Sequence, residues 1–111
     1  MNRRITKRPR AKRDLIDLFA YLVEHASLEE ARRFLHAVEA ALELLVGMPE
    51  MGARWHSSSP RLSGVRRWVP RGYKNYLLLY RPTRTGIELL HVYSSARDIP
   101  TLLADEDEET P

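Results

Sequence analysis

The sequence has no cysteine among its 111 residues, which excludes both disulfide bridges and thiolate zinc sites. It also lacks long apolar runs, because no stretch approaches the roughly 20 apolar residues that a membrane-spanning helix needs. Behind the basic N-terminal segment there is no apolar segment of the signal-peptide kind. We therefore expect a cytoplasmic protein that has no contact with a membrane.

Acidic residues are missing from two stretches. Residues 51–86 carry eight basic residues and no acid, and residues 1–13 carry seven basic residues and no acid. Residues 105–109, in contrast, are five consecutive acids, and without them the net charge of +3 would be +8. Charge runs often only solvate a surface. Two basic blocks in one small chain nevertheless predict contact with an anionic macromolecule, either a nucleic acid or an acidic protein.

The remaining composition fits a folded protein of modest size. Hydrophobic residues make up 43% of the chain, which is enough for one core and too much for a disordered chain. The sequence shows neither internal repeats nor a long linker. We expect a single domain over residues 1–104, followed by a disordered acidic tail over residues 105–111.

Two helices are predicted from the spacing of apolar residues. Ser27 separates them and opens a capping box with Glu30, while Gly47, as a cap, and Pro49 end the second helix. Amphipathic helices with so short a connection form an antiparallel hairpin. The first apolar stripe is Leu15, Leu18, Phe19, Leu22, Val23 and Ala26, and the second is Ala31, Phe34, Leu35, Val38, Leu42 and Leu45.

Four strands are predicted around this hairpin. A short, charged edge strand over residues 3–8 stops at Pro9. Residues 50–59 are polar and are interpreted as a loop. The fold class is therefore α+β with the order β-α-α-β-β-β, a helical hairpin packed on a small, mainly antiparallel sheet. The three later strands are predicted at residues 65–69, 73–81 and 87–94, joined by turns at residues 70–72 and 82–86.

Common catalytic patterns are absent. The four histidines, His25, His36, His56 and His91, do not have the spacing of a metal site on a helix. There is no phosphate-binding glycine loop, and no serine lies in a nucleophile elbow. We therefore expect no metal and no cofactor, and these patterns argue against a metal-dependent or serine-type enzyme.

A basic and aromatic set remains after these exclusions. Arginine binds phosphate with two parallel hydrogen bonds and aromatic rings stack on bases, so the set suits a nucleic acid. It equally suits an acidic protein partner with aromatic anchors, and each aromatic residue has the alternative of a place in the core. The set is Arg54, Trp55, Arg61, Arg66, Arg67, Trp68, Arg71, Tyr73, Lys74, Tyr76, Tyr80, Arg81 and Arg97.

The order of segments and several short motifs resemble toxins of the RelE/ParE superfamily of bacterial type II toxin–antitoxin modules, and within it the ParE branch. The resemblance runs from about residue 3 to Leu103. Each motif is weak alone, and their order in register with the predicted elements makes the signal specific. The motifs are residues 11–22, 31–34, 45–52, 61–66, 76–81 and 92–99.

The resemblance implies one of two activities. RelE-type members cut mRNA on the ribosome without a metal, using basic residues and a tyrosine near the C-terminus, whereas ParE-type members inhibit DNA gyrase and are not regarded as nucleases. Here Leu77 follows Tyr76 where the mRNA-cleaving branch places an arginine, and no tyrosine follows Arg97. These departures favour a gyrase inhibitor that arrests growth, with a ribosome-dependent mRNA endonuclease as the alternative.

The resemblance also implies partners and site residues. A cognate ParD-like antitoxin would bind the groove between the hairpin and the sheet, DNA gyrase would be the target, and operator DNA would be reached only through the antitoxin. Expected target contacts are Arg97 and Asp98. Expected antitoxin contacts are Arg61, Arg66, Arg67, Arg71, Lys74, Tyr76, Arg81, Leu18 and Leu22. For the nuclease alternative the candidates are Arg66, Arg67, Lys74 and Arg97, with Lys74, Tyr73 or a histidine to activate the 2′-hydroxyl.

Overall fold

The computed structural model describes residues 3–55 and 60–94 of the chain. Within these ranges the predicted α+β fold is confirmed, with a helical hairpin on a mainly antiparallel sheet. The elements are β1 (Arg4–Lys7), α1 (Pro9–His25), α2 (Leu28–Gly47), β2 (Ala53–Arg54), a 3-10 turn (Pro60–Leu62), β3 (Arg66–Trp68), β4 (Tyr76–Pro82) and β5 (Gly86–Ser94). Neither helix in the described ranges is long and apolar enough to cross a membrane.

The five strands form one sheet in the order β1-β5-β4-β3-β2. β1 pairs with β5 in parallel, and the other pairs are antiparallel. β1 is the edge strand that its charge predicted. The other edge is β2, which lies within the segment predicted as a loop, because two polar residues paired with β3 leave no periodic signal in the sequence.

The ends of both helices follow from their local sequence. α1 begins at Pro9, because a proline at the first helical position loses no internal hydrogen bond. Ser27 caps α2 as predicted, its hydroxyl accepting from the Glu30 amide at 2.9 Å. The prediction of Gly47 as the C-terminal cap is wrong. Gly47 is the last helical residue, and Met48, with a φ of −141°, is the cap.

The main core lies between the hairpin and one face of the sheet. Leu78 and Tyr80 of β4 point into it, while Leu79 packs on the opposite face with Val65 and Leu90. β4 is therefore apolar on both faces, as expected of the central strand of a sheet.

The predicted stripe of α1 is too wide. Ala11, Leu15, Leu18 and Leu22 are its buried residues. Val23 is 41% exposed. Ala26 lies beyond the helix end, where the 3.6-residue period no longer positions a side chain.

Candidate functional site

A cleft of about 600 Å³ opens where β2 and β3 meet the end of β4. Three arginines and one glutamate line it, together with apolar residues from the segment before β3. We call it the basic cleft and define it by Glu50, Arg54, Trp55, Val65, Arg66 and Arg81. Its charged side chains carry a net positive charge, which suits an anionic ligand.

The strand register places the arginines of the cleft close together. Arg54 of β2 lies directly opposite Arg66 of β3, and Arg66 lies opposite Tyr80 of β4. Like charges at directly opposed positions repel each other in an antiparallel pair. The arrangement therefore needs compensation from neighbouring acceptors or from an anion.

Arg66 receives part of that compensation from the backbone. Its Nη1 donates to the carbonyl oxygens of Glu50 at 3.0 Å and Gly52 at 2.8 Å. Tyr80 holds the same segment, residues 49–52, from the core side. Its hydroxyl donates to the Pro49 carbonyl and accepts from the Gly52 amide, both at 2.8 Å. Burial raises the pKa of the Tyr80 phenol, so the hydroxyl stays neutral. Arg66 is thus a structural support of the cleft as well as part of its wall.

A second group of aromatic residues lies against α2, away from the basic cleft. Tyr73 and Tyr76 pack on Phe34, with ring centroids 5.4 and 4.7 Å away. The Tyr73 hydroxyl donates to the Glu30 carboxylate at 2.7 Å. Burial and this carboxylate raise the pKa of Tyr73 to about 12. Tyr73 therefore holds its proton at neutral pH and is poorly suited to act as a general base.

His91 lies beside an acidic residue that joins α1 to β5. Its Nδ1 is 3.9 Å from Asp14 Oδ2, and the Asp14 carboxylate accepts from the Val92 amide at 3.0 Å and from Arg10 Nε at 3.4 Å. This arrangement is a structural link between helix and sheet. Across residues 3–55 and 60–94, no group of three or more histidine, cysteine or acidic residues could hold a metal ion.

The basic residues predicted to bind an antitoxin fall into separate places. Arg66 and Arg81 meet in the basic cleft, together with Arg54, which was in the basic set but not among the predicted contacts. Arg71 and Lys74 lie instead at the exposed β3–β4 turn, beside Val69. Arg67 is exposed on β3, and Tyr76 is half-buried against Phe34.

Three predicted positions are not covered by the structural description. Arg61 belongs to the 3-10 turn, but its side chain lies outside the described part of the structure. Arg97 and Asp98 lie outside the described residues, as does the acidic tail over residues 105–111.

The two apolar residues predicted as antitoxin contacts lie mostly in the core. Leu18 is 3% exposed and Leu22 is 9% exposed, since both pack in the core. A small groove of about 270 Å³ nevertheless remains between α1 and β5, and its lining residues are Leu18, Arg10, Arg13, Asp14, Asp17, Val92 and Tyr93. The outer surface of the hairpin carries a different apolar groove, formed by Leu15, Ile16, Phe19 and Leu35.

Ile16 is the most exposed member of this groove, with 68% of its surface accessible. It falls outside the predicted apolar stripe of α1. An isoleucine at a position that the helical period assigns to solvent is the sequence signal that would have found this surface.

Comparisons with known proteins agree with this architecture. Residues 5–99 match the family described as "ParE toxin of type II toxin-antitoxin system, parDE". No curated protein matches the sequence. Among solved structures, a chain of the "Chromosomal ParDE TA system from P. aeruginosa" has the same fold with a TM-score of 0.66 at 19% identity, covering 81% of this chain and 92% of that chain. Since the family match spans most of the sequence, this chain belongs to the ParE toxins of type II toxin–antitoxin systems.

Proposed function

We propose that this ParE toxin inhibits DNA gyrase when it is free, and that a cognate ParD-like antitoxin neutralises it. Operator DNA would be reached only through that antitoxin. The observation that carries the choice of target is that side chains needed for RNA cleavage are already engaged in the fold. Cleavage requires one group to activate the 2′-hydroxyl and another to stabilise the phosphorane charge.

The engaged side chains include members of both roles. Arg66 donates to two backbone carbonyls, and Tyr73 donates to Glu30. His91 is mostly buried beside Asp14, with 14% of its side chain exposed. Arg67 and Lys74 are exposed, but Lys74 lies with Arg71 at the β3–β4 turn and not in the basic cleft. This separation supports the gyrase branch over the ribosome-dependent endonuclease.

Antitoxin binding is supported by two surfaces of different chemistry. The outer groove of the hairpin offers an apolar seat of about 270 Å³, which suits one face of an amphipathic helix. The basic cleft and the β3–β4 turn offer arginine and lysine side chains to acidic residues. Because a stable interface buries roughly 800 Å² per side, we expect the antitoxin to contact both surfaces.

The antitoxin half of the proposal is tested by co-purification with the product of the adjacent reading frame. Ile16→Ser should weaken capture about tenfold or more, because central apolar contacts dominate binding energy. Val23→Ser is the matched control, since Val23 is exposed on the same helix but does not line the groove. Failure of the native pair to associate at moderate salt would contradict the antitoxin proposal.

The gyrase half is tested by supercoiling assays with the antitoxin-free protein. We expect loss of supercoiling and accumulation of relaxed or linear plasmid, and a weaker effect for the double variant Arg97→Ala, Asp98→Asn. Primer extension on translated messages should show no new cuts after induction. Codon-linked cuts would assign the endonuclease activity instead, and unaffected growth under strong expression would contradict a toxin.

A further inference from the structure

We propose that the acidic run at residues 105–109 binds the basic cleft of its own chain and competes there with external acidic ligands. The proposal joins the strongest run of negative charge in the sequence to a cleft that carries three arginines. It does not depend on the identity of the toxin's target.

The arginines of the cleft create a positive potential that attracts an anion. Arg54 and Arg66 are opposed in the strand register, so their charges repel each other. The hydrogen bonds of Arg66 to Glu50 and Gly52 go to neutral carbonyl oxygens, which orient the guanidinium group without neutralising its charge. Within the described part of the chain, Glu50 is the single acidic residue of the lining, against Arg54, Arg66 and Arg81. A carboxylate ligand would relieve this repulsion and accept paired hydrogen bonds from guanidinium groups.

The length of the chain permits the contact. Ser94, at the end of β5, pairs with Tyr76 at the start of β4, whereas Arg81 lies five residues further along β4. That separation is about 17 Å along the strand, and the three strand spacings from β5 to β2 add about 14 Å across the sheet. The eleven residues from Ser94 to Asp105 can span up to about 36–40 Å. The connection is therefore long enough for the acidic run to contact every arginine of the cleft.

Tethering makes even a weak contact effective. A ligand joined by a short connection has an effective concentration of about 1 mM. An external ligand can bind only those clefts that the tail leaves open. Its apparent affinity is therefore the intrinsic affinity multiplied by the fraction of open clefts. For a tail that binds with a dissociation constant of about 0.1–1 mM, the apparent affinity for an external acidic peptide falls about two- to tenfold.

The location of the tail can be measured on the full chain by paramagnetic relaxation. Because the sequence has no cysteine, Thr110→Cys provides a single attachment point for a nitroxide label next to the acidic run. We expect the amide signals of Arg54, Val65 and Arg81 to broaden selectively at low salt and to recover at 1 M salt, where the Debye length is about 3 Å. The proposal would be overturned by uniform broadening over all basic surfaces, by selective broadening over residues 3–13, or by the absence of broadening.

Competition provides the second readout, with hexaglutamate as the probe. Neutralising the run with D105N, E106Q, D107N, E108Q and E109Q should tighten probe binding at the cleft about two- to tenfold. In the labelled chain, Arg54→Ala should reduce the broadening at the cleft. Arg32→Ala, the same charge change at an exposed site on α2, should not. The proposal that the tail occupies the cleft would be refuted if Arg54→Ala and Arg32→Ala reduced the broadening equally. It would also be refuted if the neutralised chain bound the probe with unchanged affinity.

Discussion

Replacing Tyr80 with phenylalanine removes one hydroxyl from the support of the basic cleft. The Tyr80 side chain is fully buried. Its hydroxyl donates to Pro49 and accepts from Gly52, both at 2.8 Å. The variant keeps the ring in the core and leaves the Gly52 amide and the Pro49 carbonyl without this partner.

The expected loss of stability follows from those two groups. A buried donor or acceptor that loses its partner costs about 1–3 kcal/mol. With two groups affected, we expect Tyr80→Phe to lower the free energy of unfolding by about 2–6 kcal/mol. For a domain of this size, each 1 kcal/mol lowers the melting temperature by about 4–8 °C, so the decrease should be at least about 8 °C.

Urea unfolding and thermal melts measure this loss, and amide hydrogen exchange locates it. Exchange should accelerate most at Gly52. Tyr21→Phe is the matched control, because it removes the same hydroxyl from the exposed side of α1 and should change stability by less than about 0.5 kcal/mol. If Tyr80→Phe unfolds like the native chain, or no earlier than Tyr21→Phe, the assigned role of the hydroxyl is wrong.

Three further predictions concern the same fold. Gly52→Ala should be at least as destabilising as Tyr80→Phe in urea unfolding, because a Cβ there would lie 2.7 Å from the Arg67 carbonyl and meet the Tyr80 hydroxyl; near-native stability would show that the loop can move. Between pH 10 and 12 the unfolded chain loses the Tyr73 proton, while the folded chain, in which the pKa of Tyr73 is about 12, keeps it. The free energy of unfolding should therefore fall as the pH rises through this window. Denaturant titration at each pH measures this decline, and Tyr73→Phe should flatten it. Leu18→Ala should cost about 2–5 kcal/mol and Ile16→Ala less than about 1 kcal/mol in the same assay, because only Leu18 is buried; equal losses would contradict the assignment of the outer groove.

The sequence predicts the helices and the central strand well, because their signals are local. The stripe of α2, the cap at Ser27 and the two-sided apolar character of β4 each follow from spacing within one element. β2 was missed because Ala53 and Arg54 become a strand only through pairing with β3. Long-range pairing of two polar residues has no periodicity that a sequence could show.

The candidate site was harder to predict than the fold for a related reason. The arginines of residues 51–86 look equivalent in the sequence, yet Arg66 and Arg81 meet in one cleft while Arg71 lies at a turn. Leu18 and Leu22 were predicted as contacts because apolar residues serve both cores and interfaces, and only the packing of α1 on the sheet separates the two uses. Ile16, in contrast, lies outside the predicted apolar stripe, and this position in the sequence does indicate an exposed apolar surface.

The basic cleft and the stability of the fold depend on the same short segment. Pro49–Gly52 follows α2, accepts from Arg66 on one side and meets the Tyr80 hydroxyl on the other. Arg66 both anchors this segment and contributes positive charge to the cleft. Replacing Arg66 with alanine would therefore lower stability and anion binding together. Arg54 is exposed on the two-residue edge strand β2, so its removal should change the charge alone. Arg54 is therefore the residue through which binding at the cleft can be separated from folding.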